Sequence, residues 1–539
     1  MRRHVELQRR ASRLVRVMVY ALAVTPAALL AQAPRIAPPP PCRVDGRTQF
    51  ADLIGRSTLS SGATTVVAVL PLDARLSDGS QIHLPWALAR GVAAGLNELP
   101  GVSTPTSGTT ERASLESAGR LDTFADLVGA KLVISGTILS QRTGAALTVR
   151  IGERGADAPR WEREFLYPQT SLASIEDQVI GAVADMLSTG RLTERRQIAD
   201  PTAYDEFTRG DYFLARHDMW AVDSARVAYE RALARTPQSA EILGRLALAY
   251  ALSLERGDRV GALGQITALR EGEAIVDRAL LADSSTADAW TARAIFARVS
   301  DPGSYAGATS AHERAVRASP SNASAHEHFA ITLLRLGRDD AAEVQAKQAL
   351  AIERNRPVSL RILAELEYLS RRYTNACALV NASIAADSYD PLAYSLRARV
   401  RVRLQEFRDA YSDAETARRL SVAAWGETLE FYITAIAREI DAARADARRL
   451  SNAKLKRGST LGVRDAVFLG MGLTVVGNRD KAFDALSRAR PRGAELKSAL
   501  RDPAFDAIRS DPRFRQIGRD EAVPAAATRR RVGSASATR

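Results

Sequence analysis

Cysteine, lysine and long apolar runs are scarce in this sequence, and each scarcity narrows the class of protein. The two cysteines, Cys42 and Cys377, lie far apart among 539 residues, so we expect neither a zinc site nor a disulfide framework. Only one apolar stretch approaches the roughly 20 residues that a membrane span needs, and it lies near the N-terminus. A multi-span membrane protein is therefore excluded, and the length suits several domains.

The formal net charge of +13 does not indicate a nucleic-acid-binding protein. More than half of that charge lies in residues 1–33 and 519–539, and the remainder is too dilute for a focused basic stripe. Only six of the 75 basic residues are lysine, which we attribute to a compositional bias toward arginine. We therefore expect no nucleic acid among the partners.

Residues 1–33 have the order of a secretory signal peptide. A basic segment precedes the apolar segment 17–31, and an Ala-x-Ala cleavage site follows at 31–33. Pro34, directly after that site, leaves an uncleaved N-terminal anchor open. We expect a periplasmic or secreted protein, or one anchored to the inner membrane and facing the periplasm. Cys42 follows four prolines rather than a lipid-acceptor box, so we expect it to be unlipidated and inert.

The next segments predict a linker and then a small α/β domain. Residues 34–61 are rich in proline and serine, as in a linker. Residues 62–190 alternate β-branched runs with helical patterns. Ser174 and Asp177 have capping-box spacing at the start of the last helix. The expected strands are 64–72, 131–141, 146–152 and 161–167, and the expected helices are 85–99, 121–130 and 174–187.

Two segments of this domain resemble the TolB amino-terminal-like domain. Ala68–Leu72 matches a strand that reads approximately AVLPF in that family, and Asp126–Ile138 matches a helix and strand that read approximately ELGVRYVLEGSV. The resemblance implies an α/β fold and brings no catalytic residues with it. Leu72 stands where the family usually has an aromatic residue.

From Asp200 onward the sequence is helical in pattern and repeats with a period of 34 residues. Columns of small residues have the offsets of positions 8, 20 and 27 of a tetratricopeptide repeat, where they let neighbouring helices approach closely. We therefore expect an all-α superhelix of about eight helical pairs over residues 201–496. The alanines of these columns are Ala330, Ala364 and Ala398, then Ala342, Ala376 and Ala410, then Ala349 and Ala417.

Residues 497–518 are expected to cap the last repeat, and the basic tail 519–539 is expected to be disordered. The apolar residues of the cap are Phe505, Ile508, Phe514 and Ile517. The array's first residues and 502–517 resemble repeats that follow TolB-like domains in bacterial regulators. The whole architecture resembles the extracytoplasmic half of tetratricopeptide-containing bacterial kinases and cyclases, but the kinase or cyclase half is absent. The resemblance therefore implies no enzymatic activity.

The sequence contains no P-loop, no nucleophile elbow and no His-Glu-x-x-His motif. His326-Glu327-His328 places its two histidines on different faces of a helix, so we expect one packed and one surface histidine rather than a metal site. Gly470 and Gly472 fall within a repeat helix and predict close helix packing. We expect no cofactor and no metal.

The candidate protein-binding residues are those at positions that line the concave groove of such an array. Arginine there can bind a carboxylate of an acidic peptide through two parallel hydrogen bonds. An ordinary solvated face in an arginine-rich protein is the alternative. The predicted groove residues are Glu327, His328, Arg335, Arg361, Glu365, Tyr368, Ser395, Arg399 and Arg403.

Three functional hypotheses follow. The first is an exported, non-enzymatic scaffold that holds a peptide or protein partner in its groove. The second is an envelope signalling accessory, whose TolB-like domain senses a ligand and relays it to a membrane partner. The third is an enzyme that uses Asp73, Asp78 or His83 in the α/β domain, although polar residues in such loops are more often turn formers.

Overall fold

The computed structural model describes thirteen segments of the chain. The predicted leader, most of the linker, Asp78 and residues 520–539 lie outside them. The described residues fall into two compact units: the first runs from 65 to 213, and the second contains 40–43 and the residues from 214 onward. The described segments are 40–43, 65–76, 79–105, 121–156, 158–190, 198–215, 221–256, 265–301, 305–353, 356–421, 425–437, 440–490 and 493–519.

The first unit is a mixed sheet with helices on both faces. Its strands lie in the order β3-β1-β4-β5-β6, with β2 also paired to β4. The strand pairs that involve β1 or β2 are parallel, and β4, β5 and β6 form an antiparallel meander. The elements are β1 (Thr65–Val69), β2 (Asp73–Arg75), α1 (Leu84–Asn97), β3 (Val102–Ser103), α2 (Leu121–Val128), β4 (Leu132–Gln141), β5 (Gly144–Glu153), β6 (Trp161–Tyr167) and α3 (Leu172–Leu187).

The alternation of side chains along the strands builds this unit's core. Val67, Ile134 and Leu147 project to one face and pack with α1 and α3. Ala68 and Val133 project to the other face, against α2. The predicted strands and helices are found with shifted ends. The predicted strand 64–72 ends at Val69 in the described residues, and Ser171, rather than Ser174, caps α3 by accepting a hydrogen bond from the Ser174 amide.

Helix α4 (Pro201–Leu214) lies almost wholly in the first unit, whereas the sequence placed it in the first repeat. Its polar side chains explain the difference. Asp205 accepts a hydrogen bond from the Tyr167 hydroxyl at 2.6 Å and lies 3.3 Å from Nε2 of His83. Tyr204 donates to the buried carboxylate of Glu176 at 2.9 Å. The period-34 pattern carries no information about these contacts.

The second unit is a solenoid of antiparallel helix pairs, as the repeats predict. The first helix of each pair, helix A, contacts the A helices of the neighbouring pairs, and together they line what we call the inner face. The helices before the three regular pairs are α5 (Ala221–Arg235), α6 (Ala240–Arg256), α7 (Gln265–Ala282), α8 (Ala287–Ser300) and α9 (Ala306–Ala318). The regular pairs are α10 (Ala323–Arg335) with α11 (Asp339–Ile352), α12 (Pro357–Leu369) with α13 (Tyr373–Ala386), and α14 (Pro391–Arg403) with α15 (Phe407–Leu420).

The small-residue columns pack as expected. All eight column alanines are completely buried, so any larger side chain there would push two helices apart. Gly472 packs in the same way, because a Cβ atom at this position would lie 2.4 Å from the ring of Phe431. Close helix packing, rather than a phosphate-binding turn, therefore accounts for the Gly-x-Gly sequence.

The C-terminal residues complete the solenoid core. Phe505, Ile508, Phe514 and Ile517 are all buried in the same apolar cluster as the repeats. Among the described helices, none has the length and apolar composition to cross a membrane. The last elements are α16 (Trp425–Ile436), α17 (Ile440–Lys454), β7 (Leu461–Gly462), α18 (Val463–Val475), α19 (Arg479–Ser487), β8 (Ala489–Arg490), α20 (Ala494–Ala499), a 3₁₀ helix (Pro503–Ile508) and α21 (Pro512–Arg519).

The expectation that Cys42 is inert is wrong. Cys42 and Cys377 form a disulfide bond, with their Cα atoms 6.1 Å apart. Sequence spacing could not reveal this pair, because Cys377 lies on α13 and Cys42 reaches it only when residues 40–43 lie across the solenoid. We call residues 40–43 the strap.

Candidate binding face of the solenoid

The predicted groove residues lie on the inner face, but part of that face is covered by the chain itself. Residues 494–508, which we call the C-terminal brace, cross the C-terminal ends of α10, α12 and α14. Apolar side chains hold the brace down: Leu496, Leu500 and Phe505 are buried in the solenoid core. The polar groups of the brace then meet the predicted groove arginines.

Arg335 binds the first carboxylate of the brace. Its guanidinium lies 2.9 Å from the carboxylate of Glu495, and Arg464 of α18 lies 3.8 Å from the same group. Burial by itself would raise the pKa of Glu495, but the two arginines outweigh it and lower that pKa to about 2. Glu495 is therefore ionised at physiological pH and joins helices that are four pairs apart in sequence.

Tyr368 and Arg399 bind the second carboxylate of the brace. The Tyr368 hydroxyl donates a hydrogen bond to Asp502 at 3.0 Å, and Arg399 donates to its other oxygen at 2.8 Å. The Arg399 guanidinium also lies 4.9 Å from the centre of the Tyr368 ring, a cation–π contact. Burial and the neighbouring Asp502 raise the pKa of Tyr368 well above its usual value. Asp502 is itself buried, so it needs these partners together with the Ala504 amide, which donates to Oδ1 at 2.8 Å.

Glu327 and His328 are buried within the repeats rather than open to a partner. Glu327 accepts hydrogen bonds from Arg356 at 2.7 Å and from the hydroxyl of Ser359 at 2.8 Å. Burial would raise the pKa of Glu327, but Arg356 lowers it to about 2. The prediction of one packed and one surface histidine is wrong for His328, because His326 and His328 are both buried.

The remaining predicted residues also make contacts between repeats. Arg361 donates to Asp390 at 2.8 Å, across the junction of α12 and α14. Glu365 lies 3.8 Å from Arg399 and stays half-exposed. Ser395 is buried. Arg361 and Glu365 therefore help to hold successive A helices in register.

Arg403 differs from the other predicted groove arginines. Its Nε and Nη2 atoms are buried and have no hydrogen-bond acceptor, and the buried hydroxyl of Tyr432 has none either. Burial by itself would lower the pKa of Arg403, but Tyr432 and then Tyr368, to which Arg403 also hydrogen-bonds, raise it above its usual value. Arg403 and Tyr432 therefore lie side by side. Together they form a donor-rich position on the inner face, next to the carboxylate that Arg399 already binds.

The sequence predicted the type of chemistry at this face but missed two of its partners. Arginine–carboxylate contacts are present, but Glu495 and Asp502 supply the carboxylates from within the chain; binding of a partner's carboxylate stays a prediction. For Asp502, the signal available in the sequence was the expected cap at 497–518, since an apolar cap that packs on the repeats must bring its acidic residues with it. Glu495 lies before that cap and had no such signal. The direction in which the cap crosses the inner face cannot be read from a repeat pattern.

The other candidate chemistry is confined to the first unit. His83 is buried against Asp205, and Asp73 is exposed on β2. Asp78 lies outside the described residues. Within the described segments, no group of three His, Cys, Asp or Glu side chains is arranged to hold a metal ion.

These features define a tetratricopeptide-type helical solenoid that follows a small α/β domain. Solved structures with similar folds include a chain of the APC/C hetero-tetramer Cut9–Hcn1 (11% identity, TM-score 0.42, 64% of this chain and 58% of that chain). The type IV pilus biogenesis factor PilW (19% identity, TM-score 0.33, 39% and 92%) and yeast Tom70 (13% identity, TM-score 0.33, 81% and 84%) are also similar. The chain thus spans little more than half the length of the Cut9–Hcn1 chain that it matches. Because these TM-scores are all below 0.5, we assign the fold from the helix packing described above and not from these similarities.

No protein-family model matches the chain, and the search of curated proteins gave no significant match. The resemblance of residues 62–190 to the TolB amino-terminal-like domain stays a prediction.

Proposed function

We propose that this protein is an exported, non-enzymatic scaffold that binds another polypeptide on the inner face of its solenoid. The observation that carries the proposal is that the inner face already holds a polypeptide segment. Arg335, Tyr368 and Arg399 bind two carboxylates of the brace, which is the chemistry expected for an acidic peptide ligand.

Arg403 and Tyr432 are the part of this face that is suited to a partner. The Nε and Nη2 atoms of Arg403 and the hydroxyl of Tyr432 have no acceptor within the described residues, and a buried donor without an acceptor is costly. A carboxylate of the partner would supply that acceptor beside Asp502. The partner is therefore expected to present an acidic side chain to the end of α14.

The disulfide supports the proposal of export. Disulfides persist in oxidising compartments and are rare in the cytosol of most cells. The predicted signal peptide would deliver the chain to such a compartment, either released or anchored to the inner membrane. Fractionation of cells that produce the full chain, followed by N-terminal sequencing, distinguishes a cleaved from an anchored form.

The binding proposal is tested by photocrosslinking in the compartment to which the chain is delivered. A photoreactive residue at Glu365 probes the inner face, and one at Val344, an exposed side chain of α11, probes an outer helix. We expect an adduct with another protein from position 365 and none from position 344. Equal crosslinking at both positions, or none from a folded protein, would contradict the proposal.

The role of Arg403 is tested in the same assay. Arg403→Gln should reduce the adduct from position 365 several-fold. The matched control is Arg408→Gln, which removes an exposed arginine of α15 and should leave the adduct unchanged. An adduct that is insensitive to Arg403→Gln would exclude this residue from partner binding.

A further inference from the structure

The strap occupies a groove in which the solenoid binds its main chain in addition to the Cys42 side chain. The Asn381 amide accepts a hydrogen bond from the Cys42 N–H at 3.2 Å and donates to the Cys42 carbonyl at 3.0 Å. Arg401 donates to the carbonyl of Pro40, and Glu406 accepts from the Arg43 N–H at 3.4 Å. The main-chain groups of three strap residues are thus bound by helices α13 and α14 and by the turn that follows α14.

Cys377 and Asn381 are one helical turn apart on α13, so they share a face. By binding both main-chain groups of Cys42, Asn381 fixes the position of the Cys42 side chain over Cys377. Arg397 donates to the Asn381 carbonyl oxygen at 3.3 Å, and this contact orients the amide. Arg397 is itself held by two hydrogen bonds to the buried Asp413, at 2.9 and 2.7 Å.

We propose that the strap is a latch, with Asn381 as its positioning residue. After export, Cys42 is oxidised while the strap is undocked; the strap then docks through its main-chain contacts, and closure of the Cys42–Cys377 bond locks it. With the strap docked, Cys42 and Cys377 are both buried. Cys377 is fixed on helix α13, whereas an undocked strap carries Cys42 away from the solenoid, so we take Cys42 as the entry thiol. Once the disulfide has formed, residues 40–43, which precede the α/β domain in the sequence, are fixed to the solenoid. The chain enters the solenoid a second time at residue 214.

The oxidation is a thiol–disulfide exchange with a dithiol–disulfide oxidoreductase of the oxidising compartment. The Cys42 thiolate attacks one sulfur of the oxidoreductase disulfide and forms a mixed disulfide, and the other enzyme sulfur leaves as a thiolate. After docking, the Cys377 thiolate attacks the Cys42 sulfur and releases the second enzyme sulfur. The oxidoreductase gains two electrons and, from the two cysteines, two protons.

The first experiment establishes the bond in the full-length protein isolated from the compartment that received it. Denatured without a reductant, the chain should take up no maleimide–polyethylene glycol, and peptide mapping should find Cys42 linked to Cys377 within one chain. Two free thiols in the isolated protein, or a disulfide between two chains, would overturn the proposal.

The second experiment tests the role of Asn381. The full-length protein is reduced while folded and then exposed to oxidised glutathione, which takes the place of the oxidoreductase. Asn381→Ala should leave glutathione addition to Cys42 unchanged, slow closure of the Cys42–Cys377 bond roughly tenfold, and cause the Cys42–glutathione adduct to accumulate. If Asn381 had a purely structural role, its replacement would not slow closure of the disulfide while leaving glutathione addition unchanged.

Asn375→Ala is the matched control, because Asn375 lies on the same helix and binds Glu367 instead of the strap. Its closure rate should equal that of the parent protein. Equal closure rates for Asn381→Ala and Asn375→Ala, or first addition of glutathione at Cys377, would overturn the positioning role. Circular dichroism of each variant ensures that the rates compare folded proteins. The outcome is independent of partner binding at the inner face.

Discussion

Two buried histidines make the stability of the solenoid sensitive to mild acid. Burial, followed by the nearby Arg298, lowers the pKa of His312 well below its usual value. Burial lowers the pKa of His328 to about 4, although Glu255 and Glu327 lie close enough to oppose the shift. Unfolded histidine titrates near pH 6.5, so below that pH the unfolded chain binds protons that the folded chain excludes.

We therefore predict that the free energy of unfolding decreases as the pH falls from 6.5 toward 4. For His328 alone the loss is about 2 kcal/mol at pH 5. Glu327 and Glu495, whose pKa values are lowered to about 2, add to the loss only below the usual glutamate range. Urea denaturation between pH 7.5 and 5 measures the effect. His328→Gln should flatten the pH dependence, and an unchanged slope would contradict the assignment.

A single methyl group tests the close packing of the solenoid. Gly472→Ala is expected to cost about 1–3 kcal/mol of unfolding free energy, because its Cβ would lie 2.4 Å from Cε1 of Phe431 in the core. Gly307→Ala is the control, since its Cβ would be 3.6 Å from that of Ala297, an ordinary contact. Denaturant titration should show a loss for the first variant and none for the second. Equal stabilities would mean that the helices adjust without cost.

At the scale of elements, the brace depends on one buried carboxylate. Asp502→Ala would leave Arg399 and the Tyr368 hydroxyl buried without their acceptor, and we expect it to cost about 3–5 kcal/mol. Asp506→Ala removes the partner of Arg371 at 2.7 Å and of Arg509 at 3.1 Å, both in largely exposed pairs, and should change stability little.

Hydrogen exchange of amides in residues 494–508 distinguishes these two variants. Asp502→Ala should increase exchange throughout the brace and at the ends of α12 and α14, while Asp506→Ala should not. If both variants exchange like the parent protein, the apolar contacts alone hold the brace.

The elements themselves were predictable from the sequence because they depend on local periodicity. The alanine columns predicted the three regular helix pairs, and the β-branched runs predicted four of the six strands described in the first unit. The short strands β2 and β3 were not predicted. The contacts that define the inner face join residues far apart in sequence, such as Arg335 with Glu495. Cys42 and Cys377 are a further example. No rule of sequence spacing predicts such pairs, since the distance between their side chains depends on how the whole solenoid curves.

At the scale of the whole molecule, local periodicity also failed to predict the boundary between the two units. The repeat pattern suggested that the solenoid begins at residue 201. The contacts of α4 place the boundary after Phe213, because a repeat helix can equally well pack on the domain that precedes it. Ala203 and Phe207 are buried, and Tyr204 packs against the core that α1 and α3 share with the sheet.

We therefore predict that a fragment of residues 62–215 is more stable than one of residues 62–190. Without α4, the buried Glu176 loses the hydroxyl of Tyr204, and His83 and Tyr167 lose Asp205. The loss of these hydrogen bonds should lower the Tm on the order of 5 °C. In the longer fragment, Tyr204→Phe should reproduce part of the decrease, because it removes only the hydroxyl. Equal Tm values for the two fragments would instead assign α4 to the solenoid, as the repeat pattern alone suggests.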